Sequence, residues 1–388
     1  MVLTQVNSIT TELNKFSGII SLDHVTFYVS NAKYAAAYFT RFFGFKLIGY
    51  KGLETGSRST CSYVVTSDDI VLVLSSTYQY GSGDLWSIVS SRGDMVKDVA
   101  FTVDNLDNYL TRLTASGIKI VQQPRTESDQ NGSVKMAVIS PFGDITHTLI
   151  ERTRYSGPFL PSYHLPLESD NFEGPMDISP ELRISLKAID HFVPVLNVGQ
   201  LDEAFDFYNK LGLETFYSVD DFNVKTETSR LKMVVVANKS KEVIINLVEP
   251  SAEDKVSQLH EFLQYNNGSG IQHIALRTDN IVSTVSGLRE RGIQFLDIPS
   301  GYYEKLRERL DSSKVTIKEP IEVLEKLQIL CDFNENGYIL QLFTKPLFDR
   351  PTTYLEIIQR NNHSGFGAGN VQALYEAVER LQKQRGNL

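Results

Sequence analysis

Two stretches of the chain repeat one another. Residues 21–50 read SLDHVTFYVSNAKYAAAYFTRFFGFKLIGY, and residues 188–219 read AIDHFVPVLNVGQLDEAFDFYNKLGLETFYSV. Each opens on an alternating strand that begins Asp-His and passes through a polar turn. Each then enters a helix with an aromatic face and stops at a glycine before another strand. A second pair follows in the same order, MVKDVAFTVDNLDNYLTRLTASGIKIVQQP at 95–124 and GIQHIALRTDNIVSTVSGLRERGIQFLDIP at 270–299. Two ordered matches mean two homologous halves. The expected fold is α+β, with paired βαβββ modules in each half. Each pair curls a mixed, barrel-like sheet around a cavity and keeps its helices outside.

A chain of 388 residues is long for one core, so two domains are expected. The reading is a lead-in at 1–18, a first domain at 19–153, a linker at 154–187 and a second domain at 188–388. Pro158, Pro161, Pro166, Pro175 and Pro180 mark the linker. The net charge of −9 leaves no basic stripe for nucleic acid. Cys61 and Cys331 have neither zinc nor disulfide spacing, which suits a reducing cytosol. MVLTQVNSITTELNKFSG at the N-terminus has no apolar run of secretory or membrane length. A cytoplasmic chain without a membrane partner is expected.

Chemistry appears when the halves are compared. In the second half His191 opens one strand, His273 sits in another, and TTYLEIIQR places Glu356 inside an apolar run. A buried carboxylate is costly unless paired, protonated or bound to a metal. Two imidazoles and one carboxylate form the facial triad of a non-haem Fe(II) site with open positions. A catalytic zinc site usually leaves only one position open. The first half keeps His24 opposite His191, but has Asp98 in place of His273 and Thr148 in place of Glu356. It reads as a domain without metal. His24, His147, His164, His260 and His363 are read as core or surface residues.

The stretches IDHFVPVLNVG, SGIQHIALRTDNI, GYILQLFTKPLFDRPTTYLEIIQR and GFGAGNVQALYEAVERLQKQRGNL resemble the 4-hydroxyphenylpyruvate dioxygenase family of the vicinal oxygen chelate superfamily. The resemblance covers nearly the whole chain and is weakest before residue 150. It implies one Fe(II) per chain on His191, His273 and Glu356, with O2 as co-substrate and an aryl-pyruvate as substrate. It also implies a homo-dimer or tetramer. The family has two branches, which convert 4-hydroxyphenylpyruvate to homogentisate or to 4-hydroxymandelate with loss of CO2.

The same motifs place Gln258, Gln272, Gln341, Phe343 and Asn370 at the substrate pocket, and Tyr354 on the strand face of Glu356. Asn246 and Val248 stand where the homogentisate branch carries proline and asparagine, and Val371 where it carries phenylalanine. These departures favour the mandelate branch. Met233 replaces a serine usual in both branches, exchanging a hydrogen bond for apolar contact.

GFGAGN is not a phosphate cradle, because no Lys-Ser/Thr follows its glycines. Asn370 is the expected N-cap of a helix whose Val371, Leu374, Val378 and Leu381 share one face. That helix is expected to gate the cavity, with Phe366 and Val371 as inner walls.

Overall fold

The computed structural model describes residues 18–152, 155–167, 172, 183–218, 231–252, 257–299, 301–365 and 367–387. Nearly all of the 1–18 segment, much of 154–187, and Phe366 lie outside the described residues.

Each half forms an eight-stranded mixed sheet. The first contains β1 (Ile19–Tyr28), β2 (Lys46–Lys51), β3 (Thr60–Ser67), β4 (Ile70–Thr77), β5 (Met95–Val103), β6 (Ile120–Asp129), β7 (Gly132–Ile139) and β8 (His147–Glu151). The second contains β9 (Ala188–Val195), β10 (Glu214–Ser218), β11 (Leu231–Ala237), β12 (Ile244–Pro250), β13 (Gly270–Arg277), β14 (Leu330–Asn334), β15 (Gly337–Phe343) and β16 (Tyr354–Asn361). The spatial orders are β2-β3-β4-β1-β5-β8-β7-β6 and β10-β11-β12-β9-β13-β16-β15-β14. The second order is the first advanced by eight strands. In both, the modules meet at a central antiparallel pair flanked on each side by a parallel pair. The two curled sheets are the expected fold.

The repeat extends to local signals. Asn105 and Asn280, in the matching TVDNL and RTDNI stretches, each accept a backbone N–H three residues on and cap the helices Leu106–Ala115 and Ile281–Glu290. The helix Ala32–Phe43 buries Phe39 and Phe43 and ends at Gly44, whose φ of 77° suits glycine. The second half departs by inserting two helices, Gly301–Asp311 and Ile321–Leu327, ahead of β14.

One apolar core runs through both halves and includes Phe101 and Phe192, whose ring centroids lie 6.5 Å apart. His147 is fully buried at this junction. Its Nδ1 donates to the Val99 carbonyl at 2.8 Å and its Nε2 accepts from the Tyr208 hydroxyl at 2.9 Å. Burial pushes this imidazole down to about 4, so it is neutral at physiological pH. Tyr109 donates to the Leu211 carbonyl at 2.8 Å, and Arg92 to the Asn266 carbonyl at 3.0 Å.

Candidate metal centre and its cavity

Strand register brings three distant residues together. On β13, Ala275 pairs with His191 of β9 on one side and with Glu356 of β16 on the other. His273 is two residues earlier on β13 and so shares the concave face. The ligand atoms of His191, His273 and Glu356 all lie within 4.8 Å of one another, and all three residues are buried. Glu356 Oε2 is 3.3 Å from His191 Nε2 and 3.7 Å from His273 Nε2. Among the described residues this is the group of three that offers a metal its donors.

An outer layer orients these groups. His191 Nδ1 is 2.8 Å from Asp190 Oδ1, which leaves Nε2 facing Glu356. Asp190 in turn accepts two hydrogen bonds from Arg360, both at 2.7 Å. Such a carboxylate–histidine pair fixes the ring and raises its basicity. Burial alone would push His191 down, but Glu356 and Asp190 reverse the sign and hold it up at about 9. Burial, helped by His191, pushes His273 well below the usual imidazole range. Gln341 donates to Glu356 Oε1 at 2.8 Å and accepts from Asn370 Nδ2 at 2.8 Å. Tyr302 donates to Asn370 at 2.7 Å.

The first half preserves this outer layer around a different centre. His24 pairs with Ala100 as His191 pairs with Ala275, and Ala100 lies beside Thr148 as Ala275 lies beside Glu356. Asp98 bridges Thr146 as His273 pairs with Tyr354. Asp23 still holds His24 Nδ1 at 2.7 Å, and Arg152 still clasps Asp23 through two bonds of 2.8 Å.

A cavity opens onto the three candidate ligands. Met233, Asn246, Val248, Gln258, Gln272, Gln341, Phe343, Tyr354 and Val371 all line it. Tyr354 stacks on His273 with ring centroids 4.9 Å apart, and its hydroxyl donates to Gln272 at 3.1 Å. Gln272 donates onward to Gln258 at 3.0 Å.

Asn370 is placed differently from the expectation. The helix runs Ala368–Gln384 with Gly367 as its N-cap, so Asn370 lies in the first turn. It is buried there against Gln341 and does not line the cavity. Gly367 begins the helix early because it takes a φ of 79°, and a Cβ there would sit 2.1 Å from the Gln341 amide oxygen.

Sequence reasoning missed Val193, Leu231, Leu259 and Tyr375 as walls, and Asp190 and Arg360 as the orienting pair. Val193 was recoverable from its two-residue offset to His191, and Asp190 from the Asp-His repeated in both halves. Arg360 stands 170 residues from Asp190, and no local signal links them.

The chain matches the glyoxalase, bleomycin resistance protein and dioxygenase superfamily over residues 21–144 and 188–324. With its His/His/Glu cluster, this defines an enzyme, a non-haem iron dioxygenase on the vicinal oxygen chelate fold. It is 44% identical over 381 residues to 4-hydroxyphenylpyruvate dioxygenase of Aspergillus fumigatus, covering 94% of this chain and 93% of that one. It is 44% identical over 385 residues to the Yarrowia lipolytica enzyme of the same name, covering 98% and 96%. A solved triple mutant of 4-hydroxymandelate synthase from Streptomyces coelicolor superposes with a TM-score of 0.80 at 29% identity, covering 95% and 99%. The chain belongs to the 4-hydroxyphenylpyruvate dioxygenase family. Among the described residues no helix is long and apolar enough to cross a membrane.

Proposed function

We propose that the chain oxidatively decarboxylates 4-hydroxyphenylpyruvate with O2 to give homogentisate and CO2, using one Fe(II) per chain. The buried His191, His273 and Glu356 cluster carries this reading. The donor set fits: two imidazoles and a carboxylate leave three positions open on iron. Among the described residues no Lys or Arg pairs with Glu356, which is 1% exposed; the His191 imidazole 3.3 Å away is its charged neighbour in the metal-free chain, and a bound metal would take both groups as donors. Iron held there by His191, His273 and Glu356 would supply open positions for a chelating 2-oxo acid and for O2.

The chain's own residues then position the substrate. Phe343 and Tyr354 offer aromatic walls, and the Gln258–Gln272 amides add placed polar groups to a largely apolar lining. The cavity volume is only about 60 Å³, well below the ~300 Å³ at which small-molecule sites begin. An aryl-pyruvate therefore enters when the Ala368–Gln384 helix, which contributes Val371, Leu374 and Tyr375 to the wall, moves outward.

Metal loading is expected to release about one proton per chain at neutral pH. The imidazole of His191 is protonated below about 9 in the metal-free chain, and the proton must leave before Nε2 can bind. Affinity should therefore rise as pH approaches that value. Calorimetry in two buffers of different ionisation enthalpy measures the proton, and identical heats would contradict its release.

The two 44% identical relatives reverse the preference for 4-hydroxymandelate drawn from individual positions. That product remains the second reading because Asn246, Val248 and Val371, where the branches differ, all line the cavity. Identification of the acid formed from 4-hydroxyphenylpyruvate by the Fe(II)-loaded protein decides between them, and 4-hydroxymandelate as main product would overturn the proposal. Val371→Phe is expected to lower any benzylic product in favour of homogentisate or 4-hydroxyphenylacetate. An unchanged ratio would make Val371 incidental.

A further inference from the structure

The first half holds a cup of its own, a cavity of about 680 Å³ on the concave face of its sheet. That is the size of a small-molecule site and far larger than the space left in the second half. His24, Asp98 and Thr148 line it at the three positions that hold His191, His273 and Glu356 in the other half. The Asp23–Arg152 pair fixes the His24 ring there as Asp190 and Arg360 fix His191.

Asp98 is the anomaly of this cup. It is 7% exposed, and Oδ1 accepts from Thr146 at 2.6 Å and Thr148 at 3.0 Å. Its Oδ2 is buried with no partner. The other charged side chains of the cup are engaged elsewhere. Lys97 donates to the Asp144 carbonyl and lies 3.9 Å from Asp84, and Arg125 donates to Glu127 and Gln122. Among the described residues no Lys or Arg pairs with Asp98. Desolvation pushes its pKa upward, and Thr146, His24 and Thr148 offset this only in part. A cationic ligand would offset the rest.

The cation does not fit a metal, because His24 and Asp98 give only two strong donors and, among the described residues, no third His, Cys, Asp or Glu clusters with them at ligand distance. An ammonium group needs less. Its three N–H donors match one carboxylate oxygen and neighbouring hydroxyls such as Thr26 and Thr148. Val73, Met136, Val138 and Phe159 supply an apolar wall for the body of the ligand. We propose that the first-half cup binds a small molecule with a primary ammonium group on an apolar body, seated with its charge on Asp98.

Tyramine is the probe, and 4-ethylphenol is the control that lacks the ammonium. Calorimetry on the full chain should show saturable binding of tyramine and none of 4-ethylphenol. Asp98→Asn, which keeps the side-chain shape but removes the charge, should weaken tyramine by at least about tenfold. Thr26→Phe fills the cup without removing the Asp98 hydrogen bonds and should weaken it too, so the test survives if Asp98→Asn fails to fold. His191→Ala, in the other half, should leave binding intact. The proposal falls if tyramine fails to saturate by about 10 mM. It falls equally if 4-ethylphenol binds as well, if both first-half variants bind normally, or if His191→Ala abolishes binding.

Discussion

Glu356→Gln is expected to strip the chain of iron and of O2 uptake together. Glu356 is the one anion among the three candidate donors, and the two imidazoles that face it bind a cation only as neutral groups. Glutamine keeps the shape and still offers an oxygen to the Gln341 amide, which now donates to Glu356 Oε1 at 2.8 Å. The fold should therefore survive while the charge disappears. Loss of an outer partner typically costs ~10–100-fold in metal affinity or activity, and loss of a donor should exceed that, at least ~10³-fold in kcat/KM. Iron content after anaerobic loading and desalting, measured beside O2 consumption, provides the check. Unchanged iron and unchanged turnover would remove Glu356 from the site.

Asp190→Asn should damage both metal affinity and stability. Asp190 is buried between His191 and Arg360 and accepts from the guanidinium through two bonds of 2.7 Å. Without its charge the His191 ring loses the group that orients it, and iron affinity should fall ~10–100-fold. Arg360 would remain partly buried without its counter-ion, which typically costs about 3 kcal/mol or more. Burial pushes the Asp190 carboxyl up, but Arg360 and His191 overcome this and hold it well below the usual range. Because the folded-state pKa is depressed, the contribution is complete above the ordinary aspartate pKa and is lost as pH falls through and below it. The wild type should therefore lose stability in acid more steeply than the variant. Parallel acid-denaturation curves for the two proteins would contradict this account.

The halves were legible because the repeat carries its own punctuation. An Asp-His strand, an aromatic helix face and a glycine stop recur, and the aligned positions fall on matching strands of the two sheets. The candidate donors were legible because Glu356 lies among Leu355, Ile357 and Ile358, where a carboxylate without a partner is costly. What the chain hid depends on pairing across sequence distance. Arg360 reaches Asp190 only after β16 and β9 join the same sheet on either side of β13. Asn370 looked like a cap because its residue type suits one. The backbone had already turned at Gly367, leaving the Asn370 side chain to contact Gln341. The product branch was weighed on three cavity positions, whereas the relatives weigh nearly the whole chain.

The junction between the halves has a consequence for how such an enzyme matures. His147 and Tyr208 are both fully buried there, and the apolar core continues from one sheet into the other. The strands that carry His191 and His273 are therefore braced by a neighbour whose own packing owes nothing to iron. In small zinc domains the ion and the fold arrive together, because the apo chain has too little core to stand alone. Here a large apolar core runs through both halves, so the scaffold is expected to fold ahead of iron and to outlast its removal.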